Sequence, residues 1–255
     1  MAQQALVFHL GRVPYLPTWE VQRQVQERMI GAKRATPAEP VPHAILVVEH
    51  PPVYTLGKSG DARHLLANKS DLEAIGASFV PVDRGGDITY HGPGQIVIYP
   101  ILDLDRIRPD INAYLRGLER AIAETCALYG LVAGGSPSGT GVWVSSHGAE
   151  RKICALGIRC SRWVTMHGLA FNANTNLAHF DQIVPCGISD RSATSLAKEI
   201  GRPVDIPTVT SQILTSFGEQ FGLEMEQRQG MDAYKRLSAF IGQALPEGLL
   251  SLATP

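Results

Sequence analysis

Between Ile111 and Tyr129 the apolar side chains return every three or four residues, at Ile111, Tyr114, Leu115, Leu118, Ile122, Cys126 and Tyr129. That spacing lines one face of an α-helix, with Asp110 placed to cap its start and Gly130 its end. A second helix is read from Pro17-Thr18-Trp19 to Ile30. Ser70-Asp71-Leu72-Glu73 has the Ser-x-x-Glu form of a capping box, which predicts a short helix there. Ala44 to Glu49 reads as a buried strand of β-branched and aliphatic residues. Further strand-like segments run from Phe79 to Asp83, Gln95 to Leu104, Gly141 to Ser145, Ile153 to Arg159 and Met166 to Ala173. From Thr210 onward the helical period returns, at Ile213, Leu214, Phe217 and Phe221 and again at Tyr234, Leu237, Phe240 and Ile241. These tail helices are expected to cover a sheet face. Mixed strands and helices predict an α+β fold.

The 255 residues, 44% of them hydrophobic, are enough to bury a sizeable core, and residues 1–255 read as a single domain. Ala35-Thr36-Pro37-Ala38-Glu39-Pro40-Val41-Pro42 is the one linker-like stretch and reads as a surface connection inside that domain. With 18% charged residues and a formal net charge of −1, neither a disordered chain nor a globally basic nucleic-acid binder fits. The N-terminal residues lack the basic start and long apolar run of a signal peptide, and no stretch reaches membrane-spanning length. A soluble cytoplasmic protein is expected. Cys126, Cys154, Cys160 and Cys186 form no CxxC pair and are too sparse for a disulfide framework, so they are expected to be free thiols.

Several short motifs fail on inspection. Leu56-Gly57-Lys58-Ser59 suggests a phosphate loop, but Pro52 stands where that loop needs its first glycine, and Lys58 reads as a solvent-facing loop residue. Gly139 and Gly141 lack the third glycine of a dinucleotide fingerprint and read as a turn into a strand. The eight histidines show no zinc spacing. Two regions are richer. Arg84-Gly85-Gly86-Asp87-Ile88-Thr89-Tyr90-His91-Gly92-Pro93-Gly94-Gln95 combines glycines, which let backbone approach a ligand, with polar groups that can orient it. Composition alone also fits an ordinary Gly-rich hairpin. The second region holds a strand-borne Lys152 and a Cys186 set between proline and glycine, a pairing that suits a nucleophile and its partner. Taken singly, a buried cysteine is commonly an inert packing group and a lone lysine a solvated one.

Together, RGGDITYHGPGQ at 84–95, RKICALGIR at 151–159, MHGLAFN at 166–172 and IVPCGI at 183–188 closely resemble the lipoyl(octanoyl) transferase family, with Val53-Tyr54-Thr55-Leu56-Gly57 adding to the match. The resemblance implies the α/β fold of the biotin- and lipoate-ligase catalytic domains. It implies an acyltransferase in which Cys186 is the acyl-thioester nucleophile and Lys152 lowers its pKa and handles protons. Arg84, Gly85, Gly86, Asp87, Ile88, Thr89, Tyr90 and His91, with Ala155, Leu156, Gly157, Gly168, Leu169 and Ala170, would line the octanoyl site. The implied partners are octanoyl-acyl carrier protein as donor, and as acceptors the lipoyl domains of 2-oxoacid dehydrogenase complexes and the glycine cleavage H protein. No ATP, no metal, no nucleic acid and no membrane enter this chemistry.

Backbone N–H groups around Cys186 or at Gly85-Gly86 are candidates for the oxyanion site. His91 and His167 are the alternatives to Lys152 as proton acceptor, and Lys58, Arg63, Arg159 and Arg162 could form basic patches that steer acidic partners. Two competing readings are an ATP-dependent lipoate or biotin ligase of the same fold and a non-catalytic scaffold that binds acyl carrier protein. The cysteine motif argues against the first, and the presence of both Lys152 and Cys186 against the second.

Overall fold

A computed structural model describes residues 3–137, 139–146, 149–184 and 192–250; Cys186 therefore lies outside the described residues. Among the described residues, eleven strands and six α-helices follow one another. β1 (Gln3–Arg12), α1 (Tyr15–Arg34), β2 (His43–Glu49), β3 (Val53–Leu56), α2 (Lys69–Ala74), β4 (Ser78–Pro81), β5 (Ile88–His91) and β6 (Gln95–Ile101) form the first half. α3 (Ile111–Ala127), β7 (Ala133–Ser136), β8 (Gly139–Ser146), β9 (Ala149–Ser161), β10 (Val164–Asn172), α4 (Leu196–Ile200), α5 (Ile206–Phe221), β11 (Leu223–Arg228) and α6 (Gly230–Ile241) complete it.

Eight strands make one mixed sheet in the order β11-β1-β2-β6-β10-β9-β8-β7, and β4-β3-β5 form a second, small sheet. β1 runs parallel to both β11 and β2, and the remaining pairs of the large sheet are antiparallel. The central position of β2 and β10 explains their sequences: all nine residues of β10 and six of seven in β2 are buried, so both read as apolar runs rather than as alternating strands.

Helices cover both faces of the large sheet. α3 and α5 pack with Ile45, Ile96, Ile98, Leu169 and Phe171 on one face. α1 and α6 pack with Leu46, Val97, Tyr99 and Ala170 on the other. The tail helices thus part company, α5 to one face and α6 to the other. What separates them is β11, a strand the helical periodicity of the tail conceals. Its sequence Leu-Glu-Met-Glu-Gln-Arg is largely exposed, as suits an edge strand. Gly222, with φ of 63°, ends α5 in the left-handed conformation and is the signal that a new element begins.

α3 is capped as expected, with Asp110 accepting from the Ala113 N–H at 2.9 Å, and Gly130 is left-handed at φ 77°. The expected capping box is shifted by two residues. Asn68 caps α2 and Asp71 answers it, because the helix starts at Lys69 and leaves Ser70 and Glu73 inside it. Residues 35–40 are exposed, in keeping with a surface connection.

α1 does more than pack. Its buried Gln22 accepts the backbone N–H of His167 at 2.9 Å, and its buried Gln26 donates to the Val164 carbonyl at 2.8 Å. These are backbone groups of β10 that the sheet ladder leaves over, and burying them unpaired is costly.

Candidate active site

A pocket opens on the α1 face of the large sheet, where alternation points Gln95, Val97 and Tyr99 of β6, Gly168, Ala170 and Asn172 of β10, and Ala155 and Gly157 of β9 the same way. Gly157 and Gly168 are cross-strand partners, as are Ala155 and Ala170. Four small residues therefore make one continuous low stretch of floor. Size matters at Gly157, where a Cβ would come within 2.9 Å of Arg84 Cδ and 3.0 Å of the Gly85 carbonyl.

Of the residues singled out in the sequence, Arg84, Gly86, Asp87, Ile88, Thr89, His91, Lys152, Ala155, Leu156, Gly157, Gly168, Leu169 and Ala170 line this pocket. Gly85 and Tyr90 stand behind the wall. The Gly85 N–H donates to the Ile158 carbonyl at 2.9 Å, which removes it from the candidate oxyanion donors. Tyr90 packs against Tyr54, His179 and Phe180. Asp87 borders the pocket, but its carboxylate holds His64 Nδ1 at 2.6 Å and the Asp61 N–H at 3.3 Å. Arg84 is likewise committed to the fold: one guanidinium nitrogen reaches the Thr55 carbonyl at 2.7 Å and hydroxyl at 2.9 Å.

Lys152 sits at one end. A register shift between Val142 and Trp143 breaks the alternation here, so that Lys152 borders the pocket while Ile153 and Cys154 join the core on the α3 side. Gly141 opposite, at φ 132°, makes room: a Cβ there would lie 3.2 Å from Lys152 Cε and 2.8 Å from the Cys154 carbonyl. The Lys152 backbone pairs with the chain that follows Cys186, its N–H donating to the Ser192 carbonyl at 3.0 Å and its carbonyl accepting from Thr194 at 2.9 Å. Ile183 and Ser192, which bracket Cys186 in the sequence, both line the pocket.

A buried chain of carboxamides joins this end to His91. Asn172 donates to the Thr194 carbonyl at 2.9 Å, Gln95 donates to Asn172 Oδ1 at 2.9 Å, and His91 Nδ1 donates to Gln95 Oε1 at 2.8 Å. His91 is therefore the Nδ1–H tautomer. Burial, then the neighbouring His50, pushes its pKa down to about 3. His50 is lowered to about 4 by burial; its Nδ1 donates to the Val13 carbonyl at 2.7 Å and its Nε2 accepts from the Tyr99 hydroxyl at 2.8 Å.

His167 occupies the other end. Its Nε2 is 2.7 Å from Asp83 Oδ1, and Arg159 Nη1 is 2.7 Å from Asp83 Oδ2. Burial outweighs the carboxylate and lowers the His167 pKa, so the ring is neutral at neutral pH. Burial raises the Asp83 pKa, but the hydrogen bond from His167 and the charge of Arg159 outweigh it and hold the group below its ordinary value.

The other thiols are poor nucleophiles. Burial pushes Cys126 up to about 12 and Cys154 beyond that, and it raises Cys160 as well. All three are free. Of the four cations read as steering patches, two are already paired, Arg63 with Asp61 and Arg159 with Asp83. Lys58 and Arg162 are exposed. Among the described residues no group of three or more His, Cys, Asp or Glu could hold a metal ion, and no helix is long and apolar enough to cross a membrane.

Sequence reasoning overlooked Tyr15, Val97, Tyr99, Trp143 and Phe180 in the lining. Val97 and Tyr99 carry a signal, being on the same strand face as Gln95. Tyr15 and Phe180 carry none, since only tertiary packing brings them in.

Residues 14–218 match the family model of the lipoyl protein ligase A/B catalytic domain. The chain is 47% identical over 232 residues to an octanoyltransferase of Christiangramia forsetii, covering 89% of this chain and 99% of the relative. It is 50% identical over 218 residues to an octanoyltransferase of Flavobacterium psychrophilum, covering 83% and 94%. Among solved structures, lipoate-protein ligase A bound with ATP superposes with a TM-score of 0.66 at 13% identity, over 94% of this chain and 93% of that one. A bipartite lipoate protein ligase from Thermoplasma acidophilum gives 0.66 at 13% identity, over 94% and 91%. At such identities the structures speak for the fold, and the sequence relatives for the family. The chain belongs to the lipoyl(octanoyl) transferase family, within the lipoyl protein ligase A/B catalytic-domain group.

Proposed function

We propose that this acyltransferase moves an octanoyl group from octanoyl-acyl carrier protein to the ε-amino group of a lysine on lipoyl domains, through a thioester on Cys186. The observation that carries this reading is that Ile183 and Ser192, on either side of Cys186 in the chain, line the same pocket as Lys152 and the aliphatic floor of Ala155 and Ala170. Residues 1–255 act in it as one catalytic domain, in the cytoplasm, where thiols stay reduced.

In the first half-reaction the Cys186 thiolate adds to the thioester carbonyl, and the tetrahedral intermediate expels the phosphopantetheine thiolate, which takes a proton from the Lys152 ammonium and leaves Lys152 a neutral amine. A free cysteine has a pKa near ~8.5, so a nearby ammonium raises the thiolate fraction at neutral pH. Lys152 supplies that charge. In the second, the target lysine's amine adds to the new thioester, the C–S bond breaks, and the Cys186 thiolate leaves as the amide forms. The amine must shed a proton, which Lys152 accepts. Thioester exchange is nearly balanced and amide formation is downhill, so neither nucleotide nor metal is required. The acceptors are the lipoyl domains of 2-oxoacid dehydrogenase complexes and the glycine cleavage H protein.

The acyl tail lies over the floor of Ala155, Gly157, Gly168 and Ala170. Burying methylenes contributes about 0.8 kcal/mol each, which makes the pocket the main grip on the chain. The test is transfer from octanoyl-carrier protein to a lipoyl domain with nucleotide and magnesium absent. Octanoylated domain is expected; transfer that begins only when ATP is added would identify a ligase instead, and no octanoyl transfer under either condition a scaffold.

A further inference from the structure

The Gly57-Lys58-Ser59-Gly60 run that fails as a phosphate loop has another use. It lies along the backbone of residues 84–87: the Lys58 N–H donates to the Arg84 carbonyl at 2.9 Å and the Ser59 N–H to the Gly86 carbonyl at 3.2 Å. A Cβ on Gly57 would stand 2.3 Å from the Gly86 carbonyl oxygen, and one on Gly60 2.5 Å from Asp87 Oδ1. Only glycine lets the two chains come this close. The chain then runs through residues 61–67, which sit mostly at the surface. Asp87 ties down their start, its buried carboxylate accepting the His64 Nδ1–H at 2.6 Å and the Asp61 N–H at 3.3 Å.

From His64 onward this stretch pairs with the residues that lead into Cys186. The Val184 N–H donates to the His64 carbonyl at 2.9 Å, the Leu66 N–H to the Gln182 carbonyl at 2.9 Å, and Leu65 and Ile183 form a β-bridge between them. Val184 is two residues short of Cys186. Beyond Cys186 the chain is held by the Lys152 backbone, through Ser192 and Thr194. The two holders differ in support. Lys152 belongs to β9 and the eight-stranded sheet. His64 belongs to neither sheet, and its stretch is anchored by Asp87 and by the packing of Leu65 beside Tyr54, Tyr90 and Ile183.

We propose that Asp87 and His64 are positioning residues that set the Cys186 thiol against Lys152. The proposal rests on the reading of Cys186 as the nucleophile. Asp87 acts through His64, and His64 through the backbone that leads to Cys186. A hydrogen bond to a carboxylate is about twice as strong as one between neutral groups, and a reacting group misplaced by about 1 Å can lose roughly a hundredfold in rate.

The experiment compares wild type with His64→Ala, which removes the donor, and His64→Asn, whose side-chain N–H branches from the same position as Nδ1. The His64 side chain is 29% exposed and does not line the pocket, so truncating it leaves the core and the acyl floor intact. Three quantities are measured: binding of S-octyl-pantetheine, a thioether that cannot transfer; the rate of Cys186 octanoylation by octanoyl-carrier protein; and the pH dependence of Cys186 alkylation by iodoacetamide, read by mass on its peptide. His64→Ala is expected to bind the thioether as wild type does and to be octanoylated about tenfold more slowly. Its alkylation midpoint should move to higher pH, because the thiol stands farther from the Lys152 ammonium. His64→Asn should regain most of the rate and the wild-type midpoint. The effects of His64→Ala and Asp87→Ala on octanoylation should fall well short of multiplying in the double variant, as for residues that act as one unit. Octanoylation of His64→Ala at the wild-type rate, loss of thioether binding in step with the rate, failure of a folded His64→Asn protein to recover, or effects that multiply would each overturn the proposal. Wild-type protein that forms no octanoyl-Cys186 would defeat the transferase reading, while the alkylation profiles still decide whether His64 positions the thiol.

Discussion

The Lys152 ammonium stands 4.5 Å from the centroid of the Trp143 ring, its cross-strand neighbour in the β8–β9 ladder. A cation over an indole face is stabilised by about 0.5–2 kcal/mol, more as water is excluded. The ring is 4% exposed, so it holds the ammonium in place, and in the proposed mechanism that ammonium draws out the Cys186 thiolate. Trp143→Leu should therefore slow alkylation of Cys186 by iodoacetamide near neutral pH several-fold, and Trp143→Tyr should recover most of the rate. Equal slowing in both, with native circular dichroism, would point to lost packing instead.

In the proposed mechanism Lys152 has two separable tasks. Arginine can carry the charge but cannot take up a proton at any working pH. Lys152→Arg should acquire octanoyl on Cys186, if the larger head group fits beside Gly141, yet pass it slowly to the lipoyl domain. Lys152→Met should be slow in both steps. Rapid mixing followed by mass detection of the two half-reactions checks this; full speed in both steps for Lys152→Arg would move the proton-acceptor role to His91 or His167.

Much of this was legible in the chain. The glycine-rich run at 84–95 and the small-residue motifs at 155–157 and 168–170 announce close approach to a ligand, because residues without bulk on a strand are there to leave space. β11 and the split of α5 from α6 across the sheet were not legible, since the strand's only apolar pair, Leu223 and Met225, is too short an alternation to stand out beside the helical tail, and helical periodicity does not say which face is covered. The orientation of His167 was hidden for a different reason. Strand alternation predicts the opposite face, and only the left-handed backbone, supported by Gln22 from a distant helix, overrides it. Gly85 and Tyr90 show the converse error: membership of a motif does not say whether a residue faces the ligand or props up the wall.

The buried cysteines offer a control on the nucleophile. Cys126 and Cys154 are fully enclosed in the α3 and α5 core, so a serine there loses apolar packing and places a hydroxyl among aliphatic groups, at a cost of about 1–3 kcal/mol. Cys126→Ser, Cys154→Ser and Cys160→Ser should keep acyl transfer, the first two with a lower denaturation midpoint. A well-folded Cys154→Ser protein that forms no acyl intermediate would contradict the assignment of Cys186.

Acid should weaken the fold before the carboxylates titrate. Burial holds His50 at about 4 and His91 at about 3, whereas the unfolded chain takes up those protons near pH ~6.5. Between these values the unfolded state binds more protons, so stability is fully present above pH ~6.5 and is lost as pH falls toward about 4, at up to roughly 1.4 kcal/mol per pH unit for each histidine. His50→Gln can still donate to Val13 and accept from Tyr99 without titrating. Its denaturation free energy should fall less steeply between pH 6.5 and 4.5, by about one proton's worth of slope, and a slope equal to that of the wild type would exclude His50 as a source.

Whether Cys186 carries the acyl group between two protein substrates, as proposed, is decided by intact-mass spectrometry of a single-turnover reaction. Wild-type protein mixed with octanoyl-carrier protein, with nucleotide and magnesium removed, should gain the mass of one octanoyl group on the peptide containing Cys186. The adduct should disappear on addition of a lipoyl domain as that domain gains the same mass, and Cys186→Ser should gain nothing. An octanoylated lipoyl domain formed at the wild-type rate by Cys186→Ser, or an acyl group found on any other residue, would contradict the account.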